Sequence, residues 1–143
     1  MFSFIGDIFS KKAAKPKYPA ATYEEAVNHV AASFKEAFDS AQSKGEPLSV
    51  DDPFFHFTVG MNVRNELGLW DKESDLHKHM LGRFRLSHAD DTGTLIMNAA
   101  LAQLKFESYD PTADIERFKR HWAMFGVDPA TMEKVEPTRD SNG

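Results

Sequence analysis

The chain has 143 residues, 41% of them apolar and 27% charged, with 12 Phe; this balance excludes disordered and collagen-like chains and fits one globular domain. No run approaches the roughly 18 consecutive apolar residues that a membrane span requires, and the lack of any Cys excludes disulfides, thiolate metal sites, iron–sulfur clusters and Cys nucleophiles. With 17 Lys plus Arg against 22 Asp plus Glu the formal charge is −5, which argues against a nucleic-acid partner.

The opening segment places Phe2, Phe4, Ile5, Ile8 and Phe9 ahead of Lys11, Lys12, Lys15 and Lys17. A secretory signal has the reverse order, with positive charge first, and here Asp7 interrupts the apolar stretch. Two uses fit this pattern. In one, the arm tucks its Phe side chains onto the domain or a partner; in the other, it lies on a membrane surface with Lys11 and Lys12 toward anionic headgroups. Pro16 and Pro19 then read as a linker, so residues 1–21 are taken as an amphipathic arm and linker.

Thr22 and Glu25 have the spacing of a capping box, in which each side chain satisfies a free backbone N–H at a helix start. Tyr23, Val27, Val30, Phe34, Phe38 and Ala41 follow in steps of three and four, one apolar stripe that Gly45 and Pro47 end. Asp52 before Pro53 predicts a second helix, running to about Leu67. At 100° per residue it sets Phe54, Phe57, Met61, Arg64 and Asn65 on one side and Phe55, Val59, Val63, Leu67 and Trp70 on the other. Two apolar sides predict a helix packed in both directions, and Gly60 in its middle predicts a close crossing, because glycine there otherwise costs about 1 kcal/mol.

Ser74 caps a predicted helix over 74–84 with Leu76, Met80, Leu81 and Phe84 inward, and Ser87 or His88 opens another with Asp90 and Asp91 in its first turn, where the helix dipole favours carboxylates. That helix is apolar nearly all round, through Leu95, Ile96, Ala99, Ala100, Leu101 and Leu104. Asp110 and Pro111 start the last one, with Ile115, Phe118, Trp122 and Phe125 as its stripe. No strand-period run appears, so the fold class is all-α: a compact bundle of about five helices over 22–127, followed by a flexible C-terminal tail over 128–143.

The wording of two segments stands out, HFTVGMNVRNELGLW at 56–70 and LSHADDTGTLI at 86–96. His56, Phe57, Gly60, Met61, Arg64, Asn65, Leu69 and Trp70, with His88, Asp90 and Asp91 downstream, resemble a family of small bacterial domains of unknown function. Its pattern runs His-Phe, Gly-Met, Arg-Asn, Leu-Trp and then His-Pro-Asp-Asp at a helix start. Ala89 stands where that family has proline. The resemblance spans residues 54–104 and implies a shared helical core, with no activity attached.

Arg64 lies on an apolar helix side, and a buried guanidinium demands a carboxylate, since an uncompensated charge there costs several kcal/mol. Asp90 and Asp91 are the expected partners, one capping its helix while the other meets Arg64. Arg64, Asn65, Asp90 and His88 are thus read first as a polar network that defines the fold. His56, Arg64, Asn65, Trp70, His88, Asp90 and Asp91 are the candidate residues for a ligand or partner. Of the six histidines, His77 and His79 point about 200° apart on a helix and do not share a metal. No metal site, cofactor or catalytic residue is assigned. Cations such as Arg83, Arg85, Arg117, Lys119 and Arg120 beside Phe84, Phe118 and Trp122 are read as flanks of apolar stripes.

These readings predict a non-enzymatic, intracellular, cytoplasmic bacterial domain that binds another protein, in the manner of an immunity protein or an inhibitor. The alternatives are a ligand-binding or enzymatic pocket around His56, Arg64, His88, Asp90 and Asp91, and a membrane-surface adaptor acting through residues 1–17 at the inner membrane face.

Overall fold

The computed structural model describes residues 17–45 and 59–135. The arm residues Phe2, Phe4, Ile5, Ile8, Phe9, Lys11 and Lys12, together with His56, Phe57 and the predicted helix start at Asp52, lie outside the described residues. Five helices pack together and no strand forms among the described residues: α1 Tyr23–Ser43, α2 Gly60–Leu67, α3 Asp75–Phe84, α4 Ala89–Leu104 and α5 Thr112–Met124. None of them is long and apolar enough to cross a membrane.

Helix α4 is the centre. Helix α1 lies along it, α2 and α5 pack against other parts of it, and α3 closes on α1. This follows from the sequence of α4, whose buried residues Ala89, Leu95, Ile96, Met97, Ala100 and Leu101 leave little polar face to give to water. The α1 stripe delivers Val27, Val30, Phe34 and Phe38 into the same core. Thr22 Oγ1 accepts the Glu25 N–H at 3.2 Å, and Glu25 Oε1 takes the Ala21 N–H at 3.0 Å, a capping box displaced by one residue. Tyr23 stands edge-on to Phe84 of α3, with ring centroids 5.1 Å apart.

Two local devices shape the end of the bundle that carries the candidate residues. Helix α2 stops in a Schellman motif: Gly68 adopts φ +70°, its N–H donates to Asn65 O, and the Leu69 N–H reaches back to Arg64 O. Tyr18 covers that glycine. A Cβ on Gly68 would lie 2.5 Å from the tyrosine ring, and Tyr18 Oη donates to Asp71 Oδ2 at 2.8 Å. Residues 17–21, read as linker from Pro16 and Pro19, are therefore packed on the α2–α3 turn, with Ala20 buried. At the other end of the chain, residues 128–135 carry a closed turn. Val127 bridges to Lys134, the Ser87 N–H donates to Pro129 O at 2.8 Å, and Ala130 is buried.

Helix α2 corrects the expected faces. Its buried arc is Gly60, Val63, Arg64 and Leu67, which straddles the two predicted sides instead of choosing either. Met61, expected in the core, is 48% exposed, and Asn65, expected to be partly buried beside Arg64, faces solvent. The helix meets α4 along one arc only, and Met61 and Asn65 sit roughly 100° round from it. Trp70 lies beyond the Gly68 turn, so it leaves the helical stripe and is exposed. Phe125 is exposed for the same kind of reason: α5 ends at Met124, and only Phe118 of its stripe is fully buried, with Trp122 half-buried.

Candidate functional site

The site is assembled at the N-terminus of α4. His88 is the N-cap, and its Nδ1 accepts the Asp90 N–H at 3.1 Å, so the ring proton of this tautomer is on Nε2. The imidazole is held between two indoles: Trp70 from the α2–α3 turn stands edge-on at 5.3 Å, and Trp122 from α5 lies at 5.3 Å with a 34° tilt. The row continues along α5, from Trp122 to His121 at 5.0 Å and from His121 to Phe125 at 5.1 Å. Both ends are open, Trp70 at 53% exposure and Phe125 at 64%, and His121 between them is exposed as well.

Behind the row lies the buried arginine. Arg64 is 4% exposed, and its Nε is 3.2 Å from Asp90 Oδ1. Two glycines make room for it. A Cβ on Gly60 would come within 2.8 Å of Arg64 Nη1, and a Cβ on Gly93 within 2.9 Å of Arg64 Cγ, so the side chain threads a slot between α2 and α4 that any larger residue would narrow. At Gly60, the expected site of a close helix crossing, the nearest groups are the guanidinium of Arg64 on the same helix and the end of the Met97 side chain.

The second carboxylate has a different partner. Trp122 Nε1 donates to Asp91 Oδ2 at 2.7 Å, which fixes the indole from beneath. Burial pushes the Asp91 carboxyl above its usual range, against the opposing pull of the Trp122 hydrogen bond and of nearby His88. Asp90 faces partly outward, with Oδ2 3.8 Å from His88 Nδ1. One carboxylate meets Arg64 as expected, but the other does not cap the helix: His88 holds the N-cap, and Asp91 turns inward to anchor a tryptophan.

Of the sequence-predicted residues, Arg64, Trp70, His88, Asp90 and Asp91 meet here; Asn65 does not, and His56 lies outside the described residues. Gly93, Trp122, His121 and Phe125 complete the site without having been singled out for it. Gly93 carried the same signal as Gly60, a glycine inside an otherwise buried helix pattern. Two further histidines have partners away from the site. His77 Nδ1 lies 3.1 Å from Leu69 O, and His29 Nε2 2.6 Å from Glu66. Among the described residues no three His, Asp or Glu side chains gather to hold a metal ion.

No family model, curated protein or solved structure matches the chain.

Proposed function

We propose that this chain is a non-enzymatic protein-binding domain and that its contact face is the aromatic row running from Trp70 through His88 and Trp122 to Phe125. The observation that carries the reading is the row itself: five rings in successive contact, open at both ends, on a rigid backing. Exposed Trp is the residue type that most often anchors protein interfaces, because it offers a large apolar area and has little rotamer freedom to lose. The polar groups behind the row serve it. Asp91 fixes Trp122, the Arg64–Asp90 pair holds the first turn of α4, and the buried Leu69 sets where Trp70 emerges. A preformed face of this kind binds without a large ordering cost.

The test is affinity capture with crosslinking from an extract of the source cells, using wild type, Trp70→Ser and Phe125→Ser. Both substitutions are at exposed ring ends, so melting temperatures should be nearly unchanged. A specific captured protein should be lost by roughly tenfold or more in each variant, as expected where an interface anchor is truncated. Capture of the same proteins by all three would refute the reading.

A further inference from the structure

Resting on that reading, we infer that the partner segment is acidic, with Asp or Glu flanking the apolar side chains that cover the row. The observation is an asymmetry in how the charges around the row are used. Within three residues of a ring in the row the carboxylates are Asp71, Glu73, Asp90, Asp91 and Asp128. Each is engaged inside the molecule. Asp71 accepts from Tyr18, Glu73 is 3.7 Å from Lys78, and Asp90 is 3.2 Å from Arg64. Asp91 accepts from Trp122, and Asp128 from the Ala130 N–H at 2.8 Å. The cations within the same reach are Lys72, Arg85, Lys119 and Arg120, all exposed, and none forms an ion pair among the described residues.

Arg117, one position further away, shows the contrast, because Asp114 lies 3.1 Å from it and the guanidinium stacks on Phe118. Glu116 lies three and four positions before Lys119 and Arg120 but pairs with neither among the described residues, and no carboxylate follows until Asp128. A chain of net charge −5 thus carries, beside its aromatic row, exposed cations with no ion pair among the described residues, while each carboxylate beside them already has a hydrogen-bond or ion-pair partner within the chain. Complementary rim charge steers encounter and selects partners more than it adds raw affinity. The ring spacing favours a protein segment over a nucleic acid. Centroids 5.0–5.3 Å apart are in direct contact and leave no slot for a base to enter, so the row offers ring edges and two open ends to apolar side chains.

The experiment is selection of a random peptide display library on the full-length protein. The enriched peptides are then measured by fluorescence polarisation against wild type, against a Lys72→Glu/Lys119→Glu/Arg120→Glu variant, and against Trp70→Ser/Phe125→Ser. The expected peptides combine Asp or Glu with aromatic or aliphatic residues. They should bind the charge-reversed variant about tenfold or more weaker and weaken as salt rises. Enriched peptides without acidic excess, or peptides indifferent to charge reversal yet lost in Trp70→Ser/Phe125→Ser, overturn this inference and leave the binding face standing. Peptides that bind Trp70→Ser/Phe125→Ser as well as wild type overturn the face itself, and so does a library that yields no enrichment. Anionic phosphatidylserine vesicles and single-stranded poly-uridylate serve as further probes; row-dependent binding of either, not displaced by the peptides, would assign the cations to a lipid or nucleic-acid partner instead.

Discussion

Helix α4 is gripped from two sides by opposite means. Along α1 the contact is dry: Val27, Val30, Phe34 and Phe38 meet Leu95, Ile96 and Ala100 in one apolar cluster. Along α2 the contact is built round a charge, with Arg64 threaded between Gly60 and Gly93 and its Nε on Asp90. The first seam draws its strength from area removed from water, at about 25 cal/mol per Å² of apolar surface. The second contributes less net stability, because desolvating the guanidinium offsets much of what the ion pair returns. What it supplies is position: the first turn of α4, and with it His88 and the indoles on either side, is held in one place. The dry seam makes the fold, and the charged seam places the candidate face.

The sharpest way to test this division is to damage each seam alone. Phe34→Ala, in the dry seam, should cost about 3–5 kcal/mol in urea unfolding, the usual range for emptying a buried aromatic site. Binding per folded molecule should survive, since the ring contacts and the hydrogen bond that hold the row come from the α2–α3 turn, α4 and α5 and not from α1. Arg64→Ala should cost less, about 2–4 kcal/mol, chiefly from the emptied slot, because the freed Asp90 carboxylate already reaches water. Arg64→Met should recover most of that loss by refilling the slot with an unbranched apolar chain. If the methionine variant is as damaged as the alanine variant, the charge itself holds the seam and the contrast between the two sides collapses.

The same contrast separates what could be read from residues alone. The α1 stripe, the Thr22 and Ser74 caps, the opening of α4 at His88 and the Asp110–Pro111 start are local patterns, and local patterns carry their own evidence: Asp110 Oδ1 does accept the Thr112 N–H, at 3.0 Å. Arg64 paired with a first-turn carboxylate was equally readable, because a buried charge demands a partner and few were offered. The faces of Met61 and Asn65 were not. A pattern extended over 52–67 averages contacts to several neighbours, whereas α2 meets α4 through one narrow arc. Nor could the row be foreseen, since Trp70, His88 and Trp122 come from three separate elements and meet only when the turn at Gly68 and the end of α5 are in place. Pro16 and Pro19 punctuated the chain as a linker would, and nothing local to residues 17–21 announces that Tyr18 lies over Gly68.

Within the charged seam the two glycines should respond unequally. At Gly93 a new Cβ meets Arg64 Cγ at 2.9 Å and Cδ at 3.2 Å, near the root of a side chain that is enclosed and has little room to yield. Gly93→Ala should therefore cost about 1–3 kcal/mol, the range for overpacking. At Gly60 the new Cβ meets Arg64 Nη1 and Met97 Cε, the far ends of flexible side chains, and alanine returns up to about 1 kcal/mol of helix propensity, so Gly60→Ala should be near neutral. Thermal unfolding of the two variants side by side decides it, and equal losses would mean that the slot is set by α2 and α4 together and not by the root of the arginine.

The smallest expected effect concerns Asp91, and its sign depends on pH. Burial raises the carboxyl in the folded protein above its range in the unfolded chain, so between those two values the folded state binds more protons. The contribution of this group to stability therefore falls as pH rises out of the ordinary carboxylate range and through the raised value, and the penalty is complete above it. Asn has the same shape, carries no charge, and keeps an oxygen to accept from Trp122 Nε1. Asp91→Asn should thus be at least as stable as wild type at pH 7, and that advantage should shrink as pH falls toward the ordinary carboxylate range. Trp122 should stay in place, visible as an unchanged emission maximum. A variant less stable than wild type at pH 7 would show that the first-turn charge on α4 outweighs its burial, and that the inner carboxylate strengthens the fold as well as seating the indole.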